Sequence, residues 1–474
     1  MIAALLLAAL STAPPVRAHH AVTTASPAAQ TAFDRGITLL YAYNGPAAET
    51  AFASALTLDP HLAMAAWGQA LANGTDLNTG LDESKFANAH DAALRAASLA
   101  QYASPEERAY IAAVAQRYAG TYEQRDADEV RYRAAMAQLV AAYPLDDDAA
   151  MFDAEALMEH QGTDRMWEHD GAQPTPDTAQ ALALIERTLT RNPNHVMANH
   201  LCMHAYDYAR DRAPAMTCAN RVAAWTFDPA EEHLAHMPAH TYIEVGEYAK
   251  AVAVSENAWQ LQPERYAAHD AYTGWSAAMM LGDLNLAERW AQRAGRAYNG
   301  SDLWATWTRF GQWRRIAESS SQNEFYAPLA RGLTGLHLGA PQDARTMLAL
   351  YSNADTDYRW LLEAAVDDRA GNVDGAVTAL NRAIAYQHRE YGAETLPLFP
   401  AGESLGALYY RHARYDAARD AFAATLARYP NDPRALYGLA LAQRQLGETA
   451  GSAESLKAFQ AIWTLAAPPN LDSL

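Results

Sequence analysis

The stretch GITLLYAYNGPAAETAFASALTLDP, residues 36–60, decides how the rest of the chain is read. If Gly36 is placed at position 8 of a unit, Ala48 falls at 20, Phe52 at 24, Ala55 at 27 and Pro60 at 32. Small residues at fixed helical spacing let two helices touch, a large apolar residue fills the gap between them, and proline ends the second helix. The same order returns along the chain. Gly406, Ala418, Phe422 and Pro430 repeat it, with Thr425 in place of alanine. Tyr242, Gly246, Ala251, Ala258 and Pro263 make another instance, and Ala364, Ala376, Leu380 and Ala383 a fourth.

A period near 34 residues with this pattern is that of tetratricopeptide (TPR) helix pairs. An alanine-rich chain could produce small residues by chance, but not prolines five residues after position 27. Asp59-Pro60, Tyr143-Pro144, Asn192-Pro193, Asp228-Pro229, Gln262-Pro263 and Tyr429-Pro430 all read as ends of second helices. The expected fold is all-α: a right-handed superhelical solenoid of TPR-like pairs whose first helices line an inner groove. Positions 2, 5, 9, 12 and 13 of the first helix would face that groove. Two stretches are degenerate, 75–140 and 296–330, and the second holds Trp304, Trp307 and Trp313, expected as core aromatics of an irregular repeat.

Composition agrees. Of 474 residues half are hydrophobic and 19% are charged, too apolar for a disordered chain, and strong helix formers dominate. Acidic residues outnumber basic ones 55 to 36, a net charge of −19, which disfavours a polyanion-binding surface.

The N-terminus carries an apolar run, Ile2 to Leu10, followed by Val16-Arg17-Ala18. Nine residues are half a bilayer span but suit the core of a secretory signal cleaved after Ala18. No Lys or Arg precedes the run, so a mis-assigned start or a buried helix is the competing reading. Export to the periplasm or beyond is the expectation. Residues 19–27, opening on His19-His20, then form a flexible leader, 28–295 an N-terminal TPR-like solenoid, 296–330 the Trp-rich segment and 331–474 the C-terminal repeats. The only cysteines, Cys202 and Cys218, lie 16 apart and could bridge at equal heights on two antiparallel helices.

Histidine carries the strongest functional signal. Residues 195–240 hold six of the sixteen: His195, His200, His204, His233, His236 and His240. In the repeat ending at Pro263, His233, His236, His240 and Glu244 take groove positions 2, 5, 9 and 13. Counted from Pro193, His200, His204 and Asp207 take 5, 9 and 12 of the preceding first helix. Neighbouring helices pack about 10 Å apart, so the two stripes could converge on one ion. Imidazole suits Zn, Cu, Fe or Ni, and a carboxylate adds an anchor. The competing reading keeps all six as packed helix histidines. Pro238 would kink or start a helix, which leaves His233 uncertain. Glu155, Glu403, His269 and Tyr272 also fall at groove positions. Each alone reads first as a solvated helix residue and gains weight only if the superhelix points it at the histidines.

These residues resemble a family of exported bacterial TPR proteins of mostly unassigned function. The resemblance runs from Phe33-Asp34-Arg35-Gly36 through Asp153-Ala154-Glu155, Trp167 and Asp170-Gly171 to Glu403-Ser404-Leu405-Gly406. Its most specific parts are Ala198-Asn199-His200 with His204, and His233-Leu234-Ala235-His236-Met237-Pro238-Ala239-His240. It implies a polar centre in the groove, with an acidic residue after the first pair matched by Asp207. The family often carries a second histidine where this chain has Tyr272. No reaction is implied.

Gly-rich phosphate loops, Gly-x-Ser-x-Gly, His-Glu-x-x-His and Cys-x-x-Cys do not occur. The leading expectation is a metal-dependent activity, oxidative or hydrolytic, on a small or peptide-like groove ligand. The metal, Cu, Fe or Zn, would sit on His200, His204, His236 and His240, with His233 and His269 as further ligands. Glu155, Asp207, Glu403 and Tyr272 are the candidate catalytic residues. The alternative is a non-catalytic scaffold holding an envelope protein partner.

Overall fold

The computed structural model describes residues 18–474 apart from 170, 262–265, 298–302, 321–325, 352–353, 392–395, 464–467 and 472–474. The proposed signal segment before Ala18, Asp170 and the Gln262-Pro263 pair therefore lie outside the described residues. The fold is all-α, made of TPR-type helix pairs. Among the described residues the one β element is a two-stranded hairpin, Trp167–Glu168 paired with Gln173–Pro174. No helix of the described residues is long and apolar enough to cross a membrane.

The pair Pro27–Tyr41 and Gly45–Leu58 shows how the repeat works. Phe52 is fully buried and fills the space left by Gly36 behind it and Gly68 on the next helix. A Cβ on either glycine would fall 2.4 or 2.6 Å from the Phe52 ring. The C-terminal repeat copies the arrangement, with Phe422 between Gly406 and Gly438. Gly438→Ala would place a methyl carbon 2.2 Å from Phe422 and is expected to destabilise its unit by about 1–3 kcal/mol in urea unfolding. Gly438→Ala/Phe422→Leu should recover much of that loss. If the single substitution is neutral, the close approach does not specify the repeat.

The chain divides into two compact units, Met1–Thr241 and Tyr242–Leu474. The second takes in the Trp-rich segment. Its core joins Trp275 and Trp290 to Leu329, Leu362 and Phe399 in one cluster, and Trp275 Nε1 donates to Thr306 Oγ1 at 2.9 Å. The Trp-rich segment, with helices Leu303–Arg309 and Trp313–Ala317, is thus core of this unit.

The expected leader is held along its length in the first unit. His20 Nδ1 lies 2.6 Å from Asp148 Oδ2, and Thr23 N donates to Glu107 Oε1 at 2.6 Å. Thr24 Oγ1 donates to Asp59 Oδ2 at 2.6 Å, and Ser26 caps the first helix. Burial opposes a charge on His20, but Asp148, with Asp146 and Glu107 behind it, outweighs burial and raises the His20 pKa. A raised histidine pKa gives stability that is present below the unfolded value and lost as pH rises through the folded one. Hydrogen exchange of amides 18–26 should therefore quicken as pH passes above that raised value, once intrinsic exchange is divided out. Asp148→Asn should remove the pH step. A step that persists in this variant would place its origin elsewhere.

Candidate metal centre

Helix Val196–Tyr206 is buried on nearly every face, and its partners orient its histidines. His195 caps it, accepting from Ala198 N at 3.3 Å, and its other ring nitrogen reaches Asp148 at 3.1 Å. His200 and His204, one turn apart, lie on the same face. His200 Nδ1 sits 2.8 Å from the Tyr41 carbonyl, which can only accept, so Nδ1 carries the proton. Burial, reinforced by His204, pushes the His200 pKa well below the usual histidine value, so the ring is neutral and Nε2 keeps its lone pair. His204 Nδ1 donates to Asp207 Oδ2 at 3.0 Å, which aims Nε2 the other way. A carbonyl or carboxylate behind each ring is the arrangement that fixes a ligating imidazole.

The third ring comes from a different helix. Asp228 and Glu231 form a capping box that starts the segment, and the short helix Glu232–His236 follows. It ends at Met237, and Pro238 opens the next helix, Pro238–Glu244. His233 Nε2 lies 3.2 Å from His200 Nε2 and 3.2 Å from Asn78 Nδ2. The ligand atoms of His200, His204 and His233 all lie within 4.8 Å of one another. Around a tetrahedral ion with bonds of about 2.0–2.1 Å, neighbouring ligand nitrogens stand about 3.3 Å apart. The His200–His233 separation already matches that.

Tyr43, at φ 54°, packs its ring against all three, with centroids 4.4 Å from His200, 5.5 Å from His233 and 6.0 Å from His204. Glu155 lines the same small cavity as Tyr43, with Asp76 and Arg117. Burial, opposed by Arg117 and reinforced by Asp76, pushes the Glu155 carboxyl up to about 7.

Several expected positions come out differently. His200, His204, His236 and His240 do not share one point: His233 completes the first group, while His236 Nε2 faces His240 Nε2 at 2.6 Å. The break at Pro238 keeps the stripe from running along one straight helix. The five rings are buried, between 0 and 2% exposed, rather than open to a groove. Asp207 orients His204 instead of standing as a free base. Glu155 lines the cavity beside Tyr43 and is not among the grouped ligand residues. In the second unit, Glu403 is clamped by Arg309 and Arg434, at 2.9 and 3.0 Å, and both guanidiniums hold its carboxyl below the usual value against burial. Tyr272 donates to the Leu396 carbonyl at 3.3 Å. His269, half-buried on helix Ala267–Met280, keeps its place as a candidate ligand.

Sequence periodicity missed Tyr41, Tyr43 and Asn78, which reach the histidines across more than 150 residues. It also missed the hairpin: Trp167 Nε1 donates to the Ala205 carbonyl at 2.8 Å, and Arg210 N to Gly171 O at 2.7 Å, covering the end of the His200 helix. Cys202, between His200 and His204, is joined to Cys218 with a Cα–Cα distance of 6.3 Å.

No protein-family model matches the chain, and no curated protein matches it. Among solved structures, 107 chains match. One is the Cut9–Hcn1 hetero-tetramer of the APC/C, at 12% identity and TM-score 0.37 over 80% of this chain and 76% of that one. The human IFIT1 dimer with PPP-AAAA matches at 12% and 0.34 over 90% of each chain. The P58(IPK) TPR domain matches at 14% and 0.22 over 89% of this chain and 99% of that one, and at such identities the likeness extends to the fold alone.

Proposed function

We propose that the first unit binds a transition-metal ion through His200, His204 and His233, and that this ion serves a metal-dependent activity of an exported protein. The observation that supports the reading most is the tautomer arrangement. Tyr41 O and Asp207 occupy the outer nitrogens of His200 and His204, and the inner ones converge with His233. An all-imidazole donor set suits Zn, Cu or Fe better than a hard cation. Three protein ligands leave one position for water or a small substrate, where a bound ion supplies Lewis acidity or an activated water. Tyr43 shields the centre from the cavity, and Glu155 is the nearby group able to hold a proton near neutral pH. Export is supported by the Cys202–Cys218 bond, which persists in oxidising compartments, and by the apolar run before Ala18.

Purified protein, reconstituted with zinc or copper and freed of excess ion, is expected to retain metal by elemental analysis. His200→Ala/His204→Ala should retain less metal than wild type while keeping its helical circular dichroism. Wild-type protein that takes up neither ion would overturn the reading. A second reading has support from the burial of the rings: the ion is structural, and the repeats dock a protein partner. It predicts partner capture that survives chelation after folding, whereas the first predicts an activity that does not.

A further inference from the structure

The five buried imidazoles of the first unit form a chain of contacts that one ion does not account for. Ring centroids run 5.0 Å from His200 to His204, 5.1 Å from His200 to His233, 6.5 Å from His233 to His236 and 4.3 Å from His236 to His240. Three of these rings present nitrogens to the first centre. The other two turn toward each other instead. His236 and His240 cross edge to face at 89°, their Nε2 atoms 2.6 Å apart, and both are buried to within 1%. The pair spans the helix break: His236 closes one helix, Met237 is the joint, and His240 lies in the first turn after Pro238. This backbone holds two imidazoles one turn apart, and an ion between them would spread their nitrogens from 2.6 Å toward about 3.3 Å.

Burying five polar rings in a helical core adds no stability over apolar side chains of similar volume, which pack without desolvation cost. A cation recovers that cost by binding the ring nitrogens. We infer that this cluster is a two-ion centre, with a second transition-metal ion at Nε2 of His236 and His240 beside the one at His200, His204 and His233. The inference rests on the reading of the first site. It adds that the centre is binuclear, with two imidazoles of this unit at the second ion. The ligand class this suits is a small anion or oxygen species able to span two ions, as in two-metal hydrolytic and oxygen-handling centres.

The test is a zinc titration of metal-free wild-type protein, with bound ion counted per chain after removal of excess. Two zinc ions per chain are expected for wild type, and one for His236→Gln/His240→Gln. One ion per chain in wild type, unchanged in that variant, would overturn the second site and leave the first intact. Two ions retained by the variant would also overturn it, and no bound zinc in wild type would overturn both readings. A pair joined through a shared proton alone gives the one-ion result. Because the count is made first on wild type, the outcome does not depend on the variant folding.

Discussion

Glu403→Ala is expected to lower the unfolding free energy of the second unit by about 3–5 kcal/mol, the cost of stripping a buried ion cluster of its central charge. Glu403 is 3% exposed and takes two hydrogen bonds from Arg309, at 2.9 and 3.2 Å, while Arg434 lies 3.0 Å from its other side. Arg434 also donates to the Arg309 carbonyl at 2.9 Å, so the helix Leu303–Arg309 is tied to the C-terminal repeats both through this carboxylate and directly through Arg434. Without it, two guanidiniums face each other out of water. The cluster has a reserve. Burial, then the charge of Glu403, pushes the Asp432 carboxyl well up, which favours its protonated form beside Glu403. Removing Glu403 lets Asp432 ionise and offset part of the loss. Glu403→Ala/Asp432→Asn should therefore cost more than the sum of the single substitutions, since Asn can still cap Pro433–Gln445 through its side-chain oxygen. Strict additivity in a urea-unfolding cycle would show that the two carboxyls do not share a proton balance.

The second large effect belongs to the cross-link in the first unit. Cys202→Ser/Cys218→Ser releases a 16-residue loop, and chain entropy puts the loss at about 3 kcal/mol. The position makes the expected consequence more than thermal. Cys202 lies between His200 and His204 on one short helix, and Cys218 belongs to Met216–Val222, which packs beside it. Reduction should thus lower the midpoint of the first unit and weaken its hold on metal together, with the second unit's transition unmoved. Were metal retention unchanged after reduction while stability falls, the bridge would support the helix but not the ligand geometry.

Much of the architecture could be read from spacing because the repeat is a packing code. Gly36, Phe52 and Gly68 must keep their sizes for the helices to touch, and that requirement is local enough to show in the order of residues. The histidine centre was half legible. Periodicity identified His200 and His204 as one face and gave Asp207 its place, since both facts are set within a single helix. It could not say which histidine of the next segment meets them, because Pro238 resets the helical phase between His236 and His240. Nor could it find Tyr43 or Asn78, whose approach depends on how distant helices stack. Glu403 shows the opposite failure: its phase matched a ligand-facing position, yet Arg309 from the Trp-rich segment turns that position into a buried ion pair.

The claim that three imidazoles of the first unit bind one ion is tested most directly by X-ray absorption on protein loaded with one equivalent of zinc. The account predicts a first shell with three imidazole nitrogens at about 2.0–2.1 Å and the outer-shell scattering of histidine rings, with the imidazole count falling below three in His200→Ala/His204→Ala. A first shell made mainly of oxygen, or a spectrum unchanged by that double substitution, would contradict it.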